Sequence, residues 1–403
     1  MDLELRPFEE SELDAVVRVG AMAFSQPPLP PDTPLGFASS ELDRSRVAVA
    51  DGEIVASGRN YSFELTLPGG VIVPAAGVSW ISVAPTFRRR GALRKMMAAL
   101  DADAIEHGEA ISILTASEAG IYERFGYGIA TWRMNFSVAR AHAALATAPL
   151  DQGRVRYVDR DDALQRFPLV YARACTQRAG MVSRPEPWWE ESFAQFLPAD
   201  KASFFVVHED RDGVDDGFLA YEVSGDFEHG THHTTLHVVD LITTTPSARA
   251  ALWDFACSVD LIETISGARF PIDEPLRFLL ADSRKLRIHA LFDHLWLKIL
   301  DVERALEARR YTTSDTLVLA VRHDDRTTRV ELDGGPEGAT CRATTADADL
   351  ELGIATLGSI YLGGTRAELH AAAGRIVEHT PGAVARVDAM LASYPAPASP
   401  TWF

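Results

Sequence analysis

The stretch from Val78 to Gly128 reads VSWISVAPTFRRRGALRKMMAALDADAIEHGEAISILTASEAGIYERFGYG. Its local patterns predict a strand, a basic glycine-containing loop and a helix. Val78 to Val83 is rich in β-branched and aromatic residues, as a strand requires. Pro85 has no amide donor and ends regular pairing. Arg88-Arg89-Arg90-Gly91 follows. Leu93, Met96, Met97 and Leu100 then recur at i, i+3, i+4 and i+7, the spacing of one buried helix face. The first turn of such a helix leaves amide donors unpaired and carries the positive end of the helix dipole. A glycine there lets the backbone approach a ligand closely, and arginine adds bidentate charge. Together they make an anion site suited to a pyrophosphate. The plainer alternative is a solvated basic turn.

Downstream, Ile111 to Leu114 predicts a second buried strand, followed by Ser117, a short helix with Ile121-Tyr122, and Phe125-Gly126-Tyr127-Gly128. The whole order, closing on Tyr122-x-x-x-Gly126-Tyr127, resembles the acetyl-CoA core of the GNAT superfamily of N-acetyltransferases. The loop departs from the common family pattern, because Leu93 stands where a small residue is usual. VAPT-x-RRRG-x-LR with ASE-x-x-IY-x-RFGYG is similar to one branch, the Eis-like (enhanced intracellular survival) acetyltransferases. The close match covers roughly residues 78 to 131.

Composition sets bounds on the rest. A chain of 403 residues holds two or three domains, and 47% apolar content supplies ordinary cores. A net charge of −18 argues against a general nucleic-acid binder and favours encounter with cations. Cys175, Cys257 and Cys341 are odd in number and widely spaced, which indicates neither a disulfide framework nor a zinc knuckle. The start, MDLELRPFEE, lacks the basic and apolar regions of a signal peptide, and no apolar run approaches a membrane span. The expectation is a soluble, cytoplasmic protein of a reducing compartment. His229, His232, His233 and His237 form the one metal-like cluster; no cysteine or paired carboxylate completes a ligand set, and no metal is expected.

Around the core, Leu3 to Arg6 reads as a strand and Ser11 to Phe24 as a helix. Gln26 to Pro34 is proline-dense and reads as a loop. Arg46 to Arg59 is a hairpin signal around Asp51-Gly52. Thr131 to Val138 is expected to end the first sheet, and Ala139 to Ala148 to be helical. Pro168 is expected to kink or split the helix predicted at Asp161 to Gly180. The fold class is α+β. The resemblance implies three parts: an acetyltransferase domain at 1–148, a degenerate acetyltransferase-like domain without a coenzyme loop at 149–298, and a sterol-carrier-protein-like domain at 299–403. The Asp324-Asp325 pair reads as a solvated turn.

The resemblance also implies chemistry. Acetyl transfer to an amine needs a base for the ammonium and an acid for the departing CoA thiolate. Tyr122 is the implied acid, with Tyr127 as its neighbouring rival. The α-carboxylate of Phe403 is the implied base, through a bridging water and with burial raising its pKa. Ile81, Ser82 and Val83 are implied to pair with the pantetheine. Arg89, Arg90, Gly91, Ala92, Leu93 and Arg94 are implied to hold the pyrophosphate, with Ser117 and Glu118 at the end of the second strand. Phe24, Trp80 and Trp402 are candidates for the substrate site, as are Trp188 and Trp189 from the second part of the chain. Gln26 and Pro27 stand where family pockets carry an acid, which leaves the acceptor open. The implied cosubstrate is acetyl-CoA, the acceptor a polyamine-like or aminoglycoside-like amine, and the assembly a homohexamer. The alternative of another class is a non-catalytic CoA or lipid sensor.

Overall fold

The structure is a computed structural model and describes residues 3–27, 41–147, 153–198, 201–228 and 231–403. The proline-dense loop from Pro28 to Pro34, most of the linker at 149–153, and His229 lie outside the described residues. The chain forms two compact units. One comprises Met1–Thr131, Asp293–Pro397 and Thr401–Phe403; the other comprises Trp132–Phe292 and Ala398–Pro400.

The first unit opens with β1 (Glu4–Arg6), α1 (Leu13–Phe24), β2 (Ser45–Ala50), β3 (Glu53–Thr66) and β4 (Ile72–Val83). It continues through α2 (Ala92–Glu106), β5 (Ile111–Thr115), the single turn α3 (Ala119–Tyr122) and β6 (Gly128–Ile129). Helix α2 buries Met96, Met97, Leu100 and Ala104 on the sheet, the face that the sequence spacing predicts. Each large side chain so buried contributes about 1.5–3 kcal/mol.

The second unit follows with β7 (Trp132–Ala139), β8 (Arg154–Val158), α4 (Arg160–Cys175), α5 (Glu186–Phe196), β9 (Ser203–Glu209), β10 (Asp215–Glu228) and β11 (Thr231–Thr243). It ends with α6 (Pro246–Ser258), β12 (Thr264–Pro271), α7 (Leu276–Leu279) and β13 (Arg287–Asp293). The sheet order is β13-β7-β12-β11-β10-β9-β8. Two expectations change here. Residues 139–147 form no α-helix: a short 3-10 turn at Arg140–His142 leads to a bridge between Leu145 and Leu280. Helix α4 is not split at Pro168 but continues past it, with Ala163, Phe167, Val170, Tyr171 and Ala174 buried on both sides of that residue. Trp188 and Trp189 are core residues of this unit, packed around the Arg184 guanidinium at 4.3 and 5.0 Å from their ring centroids. Of the histidines, His237 is bonded to Ser224 and Ser266, and His233 lies 3.4 Å from Glu263.

The chain then re-enters the first unit with β14 (Leu295–Ile299). The first sheet has the order β1-β2-β3-β4-β5-β14-β6. The sequence reading closed this sheet with Thr131 to Val138. Instead β7 pairs with β12, Val138 opposite Ile265, in the second unit's sheet. β7 alternates, with Met134, Phe136 and Val138 buried, as suits a sheet covered on one face. β14 is buried at all five positions, as suits a central strand covered on both.

The rest of the first unit is α8 (Val302–Ala308), β15 (Asp315–His323), β16 (Arg326–Gly335), β17 (Gly338–Ala343), β18 (Leu350–Gly353), α9 (Ile354–Tyr361), α10 (Ala367–Ala372), β19 (Ile376–Glu378) and α11 (Ala383–Leu391). A third sheet has the order β17-β16-β15-β18-β19. Helix α9 packs against β6 and β14 so closely that two glycines are required. A Cβ on Gly128 would stand 1.9 Å from the Ala355 carbonyl oxygen, and one on Gly358 2.3 Å from that of Leu297.

Candidate active site

Two strands that part company create the site. β4 and β5 run parallel, but their register contains only Ala76 opposite Ser112 and Gly77 opposite Ile113. Beyond that point β4 continues to Val83 and β5 to Thr115 without pairing to each other. The main chain of Val78–Val83 on that side is left to a ligand. A bulge sharpens the fork: the register with β3 shifts between Ser57–Ser82 and Arg59–Ser79, and Trp80 takes a left-handed φ of 55°. The Ser57 hydroxyl ties the bulge together, 2.7 Å from that of Ser82 and donating to the Trp80 carbonyl at 3.1 Å.

Helix α2 starts at the mouth of this fork. Gly91, at φ 86°, precedes it, and the first helical hydrogen bond runs from the Lys95 amide to the Gly91 carbonyl. The amides of Ala92, Leu93 and Arg94 therefore have no acceptor within the helix. The Arg88 guanidinium donates to the Ala23 carbonyl at the end of α1 (2.7 Å), which fixes the loop and offsets the negative end of α1. A cavity of ≈ 1440 Å³ runs from here between α2 and α3.

The walls of that cavity hold most of the residues read from the sequence. Ile81, Ser82, Val83, Arg89, Gly91, Ala92, Leu93, Arg94, Ser117 and Glu118 all line it, with Phe24 at the end of α1 and Tyr122 from α3. Arg90 is not on the wall; its guanidinium lies over the Phe87 ring at 5.3 Å. Trp80 is turned by the bulge to the other face of the sheet, where it packs against Phe8, Val16 and Val47.

Tyr122 is buried, and burial together with the Glu118 charge raises its pKa above 10, while a hydrogen bond with Ser117 acts in the opposite direction. Its phenol stays protonated at neutral pH, the state an acid requires. Tyr127 is fully buried, is not on the cavity wall, and its hydroxyl lies 2.6 Å from that of Ser112. Its ring meets Tyr122 edge-on at 6.2 Å, so it acts as packing behind the candidate acid.

The chain terminus returns to the same fork. Thr115, the last residue of β5, donates its hydroxyl to the Phe403 oxygen at 3.3 Å. The Phe403 ring sits 4.7 Å from that of Phe63 and over Gly77, where a Cβ would come within 3.2 Å of it. Thr401 is fully buried, and the Trp402 ring stacks on His294 at 6.0 Å. The terminus is thus held at the point where β4 and β5 separate.

Sequence reasoning missed the far end of the cavity. Asp101 and Ala98 continue the α2 flank, Arg124 and Phe125 close the opposite side, and Lys298 of β14 with His323, Asp324 and Asp325 of the β15–β16 turn complete it. Burial raises the Asp101 pKa against the opposing pull of Lys298. Helical spacing from Leu93 and Arg94 was the one signal available for Ala98 and Asp101.

Residues 4–130 and residues 180–299 each match a family model described as an acetyltransferase (GNAT) domain, and residues 302–400 match a sterol carrier protein domain. An N-acetyltransferase Eis of Mycobacterium tuberculosis is 36% identical over 359 residues, covering 86% of each chain. The chain belongs to the Eis-type N-acetyltransferases of the GNAT superfamily. It is an acyltransferase with two GNAT domains and a sterol-carrier-like domain. An uncharacterized N-acetyltransferase of Streptomyces griseus is 38% identical over 406 residues, 97% of each chain. The crystal structure of Eis1 from Mycobacterium abscessus covers all of both chains with a TM-score of 0.88 at 30% identity. Among the described residues, no helix is long and apolar enough to cross a membrane.

Proposed function

We propose that this acetyltransferase moves an acetyl group from acetyl-CoA to a primary amine of a cationic small molecule, of the polyamine or aminoglycoside kind. The observation that carries this reading is the fork itself: a strand edge left unpaired, a helix N-terminus at its mouth, and Tyr122 in its wall. The main chain of Ile81–Val83 pairs with the pantetheine amides, and the amides of the Arg89–Arg94 segment with the Arg89 and Arg94 side chains hold the pyrophosphate.

The amine nitrogen attacks the thioester carbonyl, the C–S bond breaks, and the sulfur takes the Tyr122 phenolic proton. Before the attack, the Phe403 carboxylate, anchored by Thr115, takes one proton of the ammonium through water; the second proton, shed by nitrogen as the amide forms, restores the Tyr122 phenol by way of solvent. Phe24, half exposed on the cavity rim, offers an apolar face to the acceptor. The excess of acidic residues favours cationic acceptors in encounter. By family resemblance the assembly is a hexamer, and sedimentation of a monomer at micromolar concentration would count against that.

The test is thiol release from acetyl-CoA with a panel of aminoglycosides and polyamines, for wild type and Tyr122→Phe. Loss of a positioned acid is expected to lower turnover by ~100-fold or more. Wild-type turnover with an unaffected variant removes Tyr122 from the acid role. CoA binding with no acetylation across the panel removes the acceptor class.

A further inference from the structure

The cavity does not end at the coenzyme loop. It follows one flank of α2 through Arg94, Ala98 and Asp101, and stops against side chains contributed by β14 and by the β15–β16 turn. The two oxygens of Asp101 are unequal. Oδ2 accepts from Lys298 Nζ at 2.6 Å. Oδ1 is shielded from solvent and has no hydrogen-bond partner among the described residues. Asp101 lines the cavity, and a buried acceptor left unpaired beside it is a cost that a ligand donor reaching Oδ1 would relieve.

Donors stand beside it. The Lys298 ammonium carries three N–H groups, one of which is committed to Asp101. Lys298 Cε and His323 Nε2 both crowd Gly126, 3.3 and 3.5 Å from where its Cβ would be. The opposite side is flat: the Arg124 guanidinium lies 5.0 Å above the Phe125 ring. The end wall therefore offers an acceptor next to donors, beside a planar cation–aromatic pair.

We propose that Asp101, with Lys298 and His323 beside it, is a subsite that reads the amino edge of the coenzyme's adenine. Adenine presents an N6 amino donor beside a ring-nitrogen acceptor, the complement of this wall. The inference rests on the reading of the cavity as an acetyl-CoA site and extends it to the nucleotide end. Asp101 stands nine residues beyond Ala92 in sequence, about 13 Å along the helix axis. Its side chain leans back toward the N-terminus and shortens that span. A nucleotide whose pyrophosphate caps α2 is placed to reach it. The sterol-carrier-like domain thereby contributes His323 to coenzyme recognition.

The test compares acetyl-CoA with its hypoxanthine analogue, in which the adenine amino group is replaced by oxygen. Binding of each is measured by calorimetry to the full chain, wild type and Asp101→Asn. Wild type is expected to favour acetyl-CoA by about tenfold or more, the effect of one unmade buried hydrogen bond. Asp101→Asn keeps an oxygen for Lys298 and turns an amide donor toward the ligand, so the preference is expected to vanish or invert. Equal binding of the two coenzymes by wild type overturns the subsite and leaves the acetyl-CoA reading standing. Binding of neither overturns both. Should Asp101→Asn fail to fold, the wild-type comparison decides alone.

Discussion

Phe403→Ala separates the position of the terminal carboxylate from its chemistry, because the variant keeps the carboxylate and loses only the ring. That ring is half-buried against Phe63 and Gly77. Truncating a fully buried Phe costs about 3–5 kcal/mol. Half of that, about 2 kcal/mol, applies to a ring that starts half-buried, and the lost aromatic pair adds ~1 kcal/mol. What remains nearby is the Thr115 hydrogen bond, worth about 1 kcal/mol net, and the buried Thr401. A loss of ~3 kcal/mol lowers the docked-to-undocked ratio by roughly 100-fold, at 1.4 kcal/mol per tenfold. Part of it is absorbed if docking is strong in the native chain, so kcat is expected to fall by about 10- to 100-fold. Steady-state kinetics with acetyl-CoA and a reactive amine measure this, and calorimetry with CoA should show an unchanged Kd. Phe403→Leu, which refills much of the seat, is expected to lie between. A kcat within twofold of wild type would refute the reasoning, since the carboxylate would then need no fixed seat or no role.

Other expectations follow from the same packing. Gly128→Ala drives a methyl group into the Ala355 carbonyl and must push α9 off the first sheet; a loss of about 1–3 kcal/mol or more is expected in urea unfolding. Burial pushes the Cys257 and Cys341 thiols up to about 12, whereas Cys175 is half-buried. A thiol reagent at pH 8 is therefore expected to label Cys175 alone in the native protein and all three in denaturant. The hydrogen bond from Arg6 holds the Glu12 carboxyl down to about 2, with the Glu9 amide assisting. Because the folded value lies below the ordinary 4.5, the stabilisation is present above pH 4.5 and is lost as pH falls toward 2. The pair is partly exposed, so its contribution is about 1 kcal/mol or less. Glu12→Gln is expected to remove that much of the stability difference between pH 6 and pH 3.

The fork was legible because its determinants are local. The strand, loop and helix from Val78 to Leu100 follow from β-branching, Pro85, Gly91 and a 3.6-residue apolar period, and Tyr122 lies in the adjoining motif. The side of the sheet that Trp80 takes was not legible, because strand alternation does not foresee a bulge: one residue at positive φ sends its ring to the opposite face. β14 was missed because LWLKI is a short apolar run, which periodicity cannot assign, and its partners β5 and β6 are remote in sequence. Asp324 and Asp325 read as solvated turn charge because only the packing of the third sheet brings that turn to the cavity. Lys298 illustrates the same limit, since a lysine within a buried strand makes sense only once Asp101 stands 2.6 Å away.

The placement of β14 bears on how the molecule is made. Ribosomal synthesis delivers β5 and β6 early, yet the strand that joins them emerges only after the whole second unit has been translated. Until then β5 offers an unsatisfied edge beside Tyr122, and the nascent sheet is a template for wrong partners. Excision of residues 1–131 as a minimal enzyme would leave the same gap permanently. The first sheet is therefore completed only once the second unit and the strand that follows it have been made.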